Sequence, residues 1–380
     1  MRRIGTWVLT TMALFGFPAT ARADDALDPF LFFAVSLQAS SDGCDLAALD
    51  ASISVEDLMQ RGTEGLTVSP QMQAGFVAGF RSKLSLGGEI CASLQGSGSY
   101  KLLGLRRVDG QVRALFRMIS NSGLNYHDYL LARGASSDVR IVDFYNYLSG
   151  EWFSLTLRRA FLPLIAESNR NPLDRLTGGE NAYVRNVRGI ARMQELMAEG
   201  HFAEALEIFD GFPPELKQDK NVLLLRFRIA ALSGDLAYKA AMLDLKEQFP
   251  GDPALEFMLI DHYYYGRQLD QALAVIDSID RKVDGDPYLD FLRANIYYTD
   301  GRYAEAKRAA QRAIGREPDL PDPYWTLVSI SLAERDHAET ARLLTAVESE
   351  LGLAIGNLAD LPDYADFLQS EAYRGWLEKR

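Results

Sequence analysis

The sequence predicts a chain of two parts. An N-terminal α+β domain with a four-stranded antiparallel meander precedes an all-α solenoid of repeated helical hairpins. Three observations carry this. Between Tyr100 and Leu148, short apolar-aromatic runs alternate with turn residues at about ten-residue spacing. From Gly200 onward, a turn followed by a small residue recurs about every 34 residues. Between these regions SNRNPLDRLTGGENA, from Ser168 to Ala182, is polar and carries Asn-Pro and Gly-Gly, the composition of a boundary. The expected division is 24–167 for the α+β domain, 168–182 for the linker, 183–345 for the repeats and 346–380 for capping helices.

The chain opens MRRIGTWVLTTMALFGFPATARADD. Arg2 and Arg3 form a basic start, Ile4 to Phe17 an apolar run, and Ala21-Arg22-Ala23 a small-x-small cleavage site. Residues 1–23 therefore read as a signal peptide, with a retained signal anchor as the alternative. The apolar run is short for a span, and no later stretch reaches the roughly 20 apolar residues a spanning helix needs. An exported chain, periplasmic or secreted, without a membrane span is expected.

The 380 residues carry 40 basic and 52 acidic side chains, a formal charge of −12, and cleavage would remove Arg2, Arg3 and Arg22 as well. With no basic stripe to neutralise phosphates, nucleic acid is excluded as the expected partner. There are two cysteines, Cys44 and Cys91. In an oxidising compartment a lone pair most simply forms a disulfide, worth about 4 kcal/mol for a loop of this size. Two buried free thiols are the alternative. Neither cysteine has the companions a metal site needs, and no metal or cofactor is expected.

Within the first domain, Asp24 to Ser41 reads as either a helix or an extended lead-in. Leu46, Leu49, Ile53, Val55 and Leu58 suit one amphipathic helix over Leu46–Gln60, and Met72, Phe76, Val77 and Phe80 another over Pro70–Leu86. Strands are expected at Tyr100–Val108, Gln111–Ile119, Tyr126–Arg133 and Val139–Leu148, with Asp109-Gly110 the strongest hairpin signal. A helix over Glu151–Ala166 closes the domain. Two helices, four strands and a closing helix resemble, in element order alone, the cystatin-like or nuclear-transport-factor-like superfold, in which a curved sheet forms a cone-shaped pocket. That resemblance implies an isomerase or dehydratase, or a protein-binding or dimerising domain, and fold cannot choose among them. A base in such a pocket would come from His127, Asp128 or Asp143. Alternation puts His127 with Tyr129 and Leu131, and Asp128 on the other face with Tyr126 and Leu130. Solvated strand residues are the expectation, with no catalytic residue. Arg106, Arg107, Arg113 and Arg117 are expected to pair with carboxylates across strands.

The clearest hairpin is PYLDFLRANIYYTDGRYAEAKRAAQRAIGREPDL, Pro287–Leu320. Ala294, Ala306 and Ala313 are small where two helices must approach, Tyr297 and Tyr303 fill the gaps, and Pro318 stops the second helix. Related units occur at Glu199–Pro213, Asn221–Pro250, Gly266–Ile279 and Asp322–Leu344. Their turns fall at Gly200, Gly234, Gly266, Gly301 and Asp336, and their small positions at Ala205, Lys239-Ala240, Ala272, Ala306 and Ala341. This arrangement resembles the tetratricopeptide repeat. The resemblance implies stacked hairpins sharing a continuous core, with Tyr364–Leu377 as the end cap. It also implies that each first helix lines a ligand-binding face. The matching positions are Arg228; Phe257, Asp261 and Tyr264; and Phe291, Asn295 and Tyr298. Such a groove would hold an extended peptide by hydrogen bonds and aromatic contact, the alternative being hairpin-to-hairpin packing. Of the basic clamp some family members use for a terminal carboxylate, only Asn295 fits.

There is no nucleophile elbow or phosphate loop, and His127, His201, His262 and His337 are far apart. The expected function is an exported non-enzymatic scaffold or adaptor that binds a protein or peptide through the repeats. Its α+β domain would dimerise, bind a second partner or hold an apolar ligand. The alternative makes that domain a small-molecule binding or lyase/isomerase domain targeted by the repeats.

Overall fold

The computed structural model describes residues 28–83, 85–95, 98–121, 123–134, 137–168 and 177–380. The expected signal peptide and most of the expected linker lie outside these residues. The chain divides into two compact units. One takes in the described residues up to Leu58 with Val77–Leu124 and Asp128–Asp143; the other takes Met59–Phe76, Asn125–His127 and Phe144–Arg380.

Helix α1 occupies Asp28–Asp42, so the lead-in is helical. The single helix expected over 46–60 is two, α2 (Leu46–Ala51) and α3 (Val55–Gly62). The break has a cause at Ile53, which pairs in parallel with Ile141. Ser54 N donates to Ile141 O at 2.8 Å and Ile141 N to Ser52 O at 2.9 Å, bonds that a continuous helix would forbid. Helix α4 (Pro70–Lys83) also stops early, and α5 (Leu86–Ser93) starts under Ser85, whose Oγ accepts from Gly88 N at 2.8 Å. Asp50 ties α2 to α5 by accepting from Ser85 Oγ at 2.8 Å and Gly87 N at 2.9 Å. Cys44, in the turn after α1, is joined to Cys91 of α5 by a disulfide.

Strands β1 (Ser99–Val108), β2 (Gln111–Ser120), β3 (Gly123–Arg133), β4 (Val139–Asn146) and β5 (Glu151–Trp152) form one sheet in the order of the chain. The meander therefore has five strands rather than four. Asn146 pairs with Glu151 and Tyr145 with Trp152. A two-residue strand has no period to read, and its sequence looked like the start of the helix that follows. The Asp109-Gly110 turn is as expected: φ is +51° and +78°, the left-handed pair of a type I′ hairpin, and Val108 opposes Gln111.

The second unit continues through α6 (Phe153–Ser168), α7 (Gly178–Glu199), α8 (Phe202–Asp210), α9 (Pro214–Lys217), α10 (Lys220–Ser233) and α11 (Asp235–Gln248). Then come α12 (Pro253–Tyr265), α13 (Leu269–Lys282), α14 (Pro287–Thr299), α15 (Tyr303–Arg316), α16 (Asp322–Ala333) and α17 (His337–Ser349). Short helices α18 (Ala365–Leu368) and α19 (Glu371–Leu377) end the chain.

One turn is repeated four times in this unit. Gly200, Arg267, Gly301 and Arg335 all have φ between +57° and +81°. The next residue in each case, His201, Gln268, Arg302 or Asp336, donates its N–H back to Leu196, Tyr263, Tyr297 or Ser331 at 2.8 to 2.9 Å. This is the six-to-one bond of a Schellman cap. Five residues after each left-handed position stands a fully buried small side chain: Ala205, Ala272, Ala306 and Thr340. Two expectations shift by one residue: the left-handed turn falls on Arg267 and Arg335 rather than Gly266 and Asp336, and Thr340 replaces Ala341. The α10–α11 turn differs. Gly234 has φ +136°, Lys239 and Ala240 are exposed, and Ala241 is the buried small residue.

Three first helices start alike. Asp219, Asp252 and Asp286 cap α10, α12 and α14, accepting from backbone N–H groups at 2.9 to 3.1 Å, and Pro253 and Pro287 follow two of these caps. One hydrophobic cluster runs from α7 to α12, through Met193, Ala205, Leu216 and Ile229. Another runs from α14 to α19 and includes Ala294, Ala306, Val347, Phe367 and Trp376.

Candidate functional site

The expected groove residues lie on first helices of the second unit at i, i+4, i+7 spacing, one face of each helix. Phe257, Asp261 and Tyr264 stripe α12; Phe291, Asn295 and Tyr298 stripe α14; Arg228 stands alone on α10. The structure joins some of them across helices. Tyr264 Oη lies 3.1 Å from Thr299 Oγ1 at the end of α14. Asn295 Oδ1 accepts from Thr326 of α16 at 2.9 Å. Tyr298 stacks on Tyr303, ring centres 5.7 Å apart, and Phe291 lies 5.0 Å from Tyr288. Arg228 is exposed and makes no ion pair among the described residues. Asp261 is exposed and likewise has no ion-pair partner among the described residues, while partial desolvation raises its carboxyl pKa.

The N-terminal ends of the same helices are held by the chain itself, which the sequence did not reveal. Tyr126 donates its hydroxyl to Asp286 Oδ2 at 2.6 Å, and its ring lies 6.0 Å from that of Phe257. Tyr147 Oη reaches the Lys282 carbonyl at 3.5 Å. Lys220, at the start of α10, donates to the Gly150 carbonyl at 2.5 Å and pairs with Asp252. Next to it Asn221 Nδ2 donates to Glu151 Oε2 at 3.1 Å; Glu151 also takes a bond from Thr156 at 2.6 Å and pairs with Arg159. Gly150 has φ +64°, and a Cβ there would collide with Lys220 Nζ and the Asp252 carboxylate. That glycine, between the last expected strand and the expected helix, was the available signal.

A charge cluster centred on the buried Arg293 and Asp290 binds α13, α14 and α15. Arg293 donates to Asp277 and Asp280 at 2.7 Å each and to Asp290 at 3.2 Å, and Asp290 also accepts from Arg312 at 3.1 Å. Such a node fixes geometry and leaves little binding capacity over.

The strand candidates are buried rather than solvated. His127 lies with Nε2 3.1 Å from Asn125 Nδ2 and its ring 5.6 Å from that of Phe144. Burial pushes its pKa down to about 4. Asp128 is 1% exposed and accepts from Arg106 at 2.5 Å and Arg113 at 3.3 Å. Arg106 and Arg113 thus make the expected cross-strand pairing with Asp128, which is a structural carboxylate. Asp143 is buried as well.

The first unit has an open apolar cleft of about 690 Å³ between α1, α2 and the start of β4. Phe32, Phe33 and Leu37 line one wall, Ala48, Val139 and Arg140 the other, and none of the strand candidates reaches it. Arg140 is held by Asp138 at 2.5 Å and by the Ala51 carbonyl. Among the described residues no group of three His, Cys, Asp or Glu side chains could hold a metal ion, and no helix is long and apolar enough to cross a membrane. No family model matches the chain, and no curated protein sequence matches it significantly.

Proposed function

We propose that the chain is an exported, non-enzymatic scaffold or adaptor of tetratricopeptide type that binds a protein or peptide through its first-helix face. The observation that carries this reading is the four-fold repetition of one Schellman turn with a fully buried small residue five positions on. Hairpins built this way cannot bury their apolar surface singly, so stacking gives the core and leaves polar-aromatic stripes on the first helices α12 and α14. A surface of Tyr, Asn and Asp side chains suits recognition of an extended segment. Export is supported by the basic and apolar start of the sequence and by the joined Cys44 and Cys91. Crosslinking and pull-down from the exported fraction test the reading. The full chain should retain a partner that a Tyr264→Ala/Tyr298→Ala variant of unchanged circular dichroism loses. Equal recovery by both proteins would sink it.

A second reading rests on the cleft beside α1, which has the size and apolar lining of a small-ligand site. Binding is favoured there over lyase or isomerase chemistry, because His127, Asp128 and Asp143 lie elsewhere. A thermal-shift assay of the full chain with a medium-chain fatty acid is the test. Stabilisation by several degrees that Phe33→Ser removes would favour this reading; no shift would end it.

A further inference from the structure

The first-helix face has two unlike ends. At the N-terminal ends, Asp286, Phe257, Lys220 and Asn221 are engaged by Tyr126 and the Tyr147–Glu151 turn. At the C-terminal end of α12 the face is open. Asp261 is exposed, Tyr264 is partly so, and Tyr265 is 79% exposed with its ring 5.5 Å from that of Tyr264. Asp261 lies three and four residues before these tyrosines, so all three share one patch of helix surface. Both α12 and α14 end here, and each contributes partial negative charge from its last carbonyls. Of the nearby cations, Arg302 is committed to the Tyr297 ring at 4.5 Å and to Glu305 and Asp270 at 3.3 Å. Arg267, in the turn after α12, and Lys239 and Lys246 of α11, which act on the adjacent His262, make no ion pair among the described residues and are the opposing charges.

We infer that this open end binds an extended segment presenting arginine or lysine to Asp261, beside the rings of Tyr264 and Tyr265. The inference rests on the scaffold reading and adds the charge of the partner. An exposed carboxylate with no ion-pair partner among the described residues, next to two aromatic faces, offers a guanidinium both an ion pair and a cation–π contact. The chain's formal charge of −12 draws a cationic segment toward the surface from a distance. Arg228, on α10, keeps such a segment from running on along that helix.

Isothermal titration of the full chain with hexa-arginine amide tests this, with hexa-glutamate as the opposite probe. Asp261→Asn should weaken hexa-arginine binding about three- to five-fold, as for an exposed ion pair. Tyr265→Ala, a change at a largely exposed side chain, should weaken it about two- to five-fold. Glu207→Gln removes the same charge from the exposed side of α8 and should change affinity less than two-fold. Equal losses for Asp261→Asn and Glu207→Gln would mean bulk charge alone, and overturn the inference. So would the absence of hexa-arginine binding, or equal binding of hexa-glutamate. Those results leave the scaffold reading standing if Tyr264→Ala/Tyr298→Ala still loses its captured partner, so the two failures are distinguishable.

Discussion

Tyr126 and Asp286, 160 residues apart in the chain, share a hydrogen bond of 2.6 Å with both side chains fully buried. Asp286 is already the cap of α14, accepting from Tyr288 N at 3.0 Å, while its own N–H is held by Asp280 at 3.0 Å. A buried carboxylate needs such donors, because its charge has left water. Tyr126→Phe removes one donor and keeps the ring packed near Phe257. The expected cost is about 1.5–3 kcal/mol, the range for a hydrogen bond to a charged group. Denaturant unfolding followed by circular dichroism would measure it. A loss below about 0.5 kcal/mol would show the bond to be incidental, since that is the scale of neutral surface changes.

Gly150 predicts two opposite outcomes from one type of substitution. Its φ of +64° places it where an L side chain is strained by about 1–2 kcal/mol, and the Cβ would displace the Lys220–Asp252 pair besides. Gly150→Ala should therefore destabilise by about 2–3 kcal/mol and loosen the turn from the start of α10. Gly315, near the end of α15, is exposed, has nothing within 4 Å of the place a Cβ would take, and lacks a left-handed backbone. Gly315→Ala should stabilise by about 0.5 kcal/mol through helix propensity and a less free unfolded chain. The melting temperatures of the two variants should move in opposite directions.

What could be read from the sequence was local. Asp109-Gly110 announced its hairpin because both turn residues tolerate left-handed backbone, and Ala205, Ala272 and Ala306 announced close helix packing because each needs only its own hairpin. The one-residue shift to Arg267 and Arg335 was hidden, since glycine is the expected left-handed residue and Gly266 stood next door. The break at Ile53 and the short β5 depend on strand partners, Ile141 and Tyr145, that no local period reveals. The same holds for the proposed binding face. Its stripes followed from helical spacing, but Tyr126 and Gly150 come from distant sequence, so the division into a held end and an open end was not legible.

His127 gives the pH prediction. Burial lowers its folded pKa to about 4, against about 6.5 when unfolded. Between those values the unfolded chain binds a proton that the folded chain refuses, so acid favours unfolding. The stabilisation is full above about pH 6.5 and is lost as pH falls toward 4; the largest contribution of this one group is about 3 kcal/mol. His127→Gln keeps an amide near Asn125 and cannot charge. Its stability should fall less than that of the native chain between pH 7 and pH 4, by about 2–3 kcal/mol, whatever its stability at pH 7. Parallel pH profiles for the two proteins would mean that His127 gains its proton without leaving the fold. In that case the pair with Asn125 Nδ2 would have to rearrange, because a protonated Nε2 can no longer accept from it.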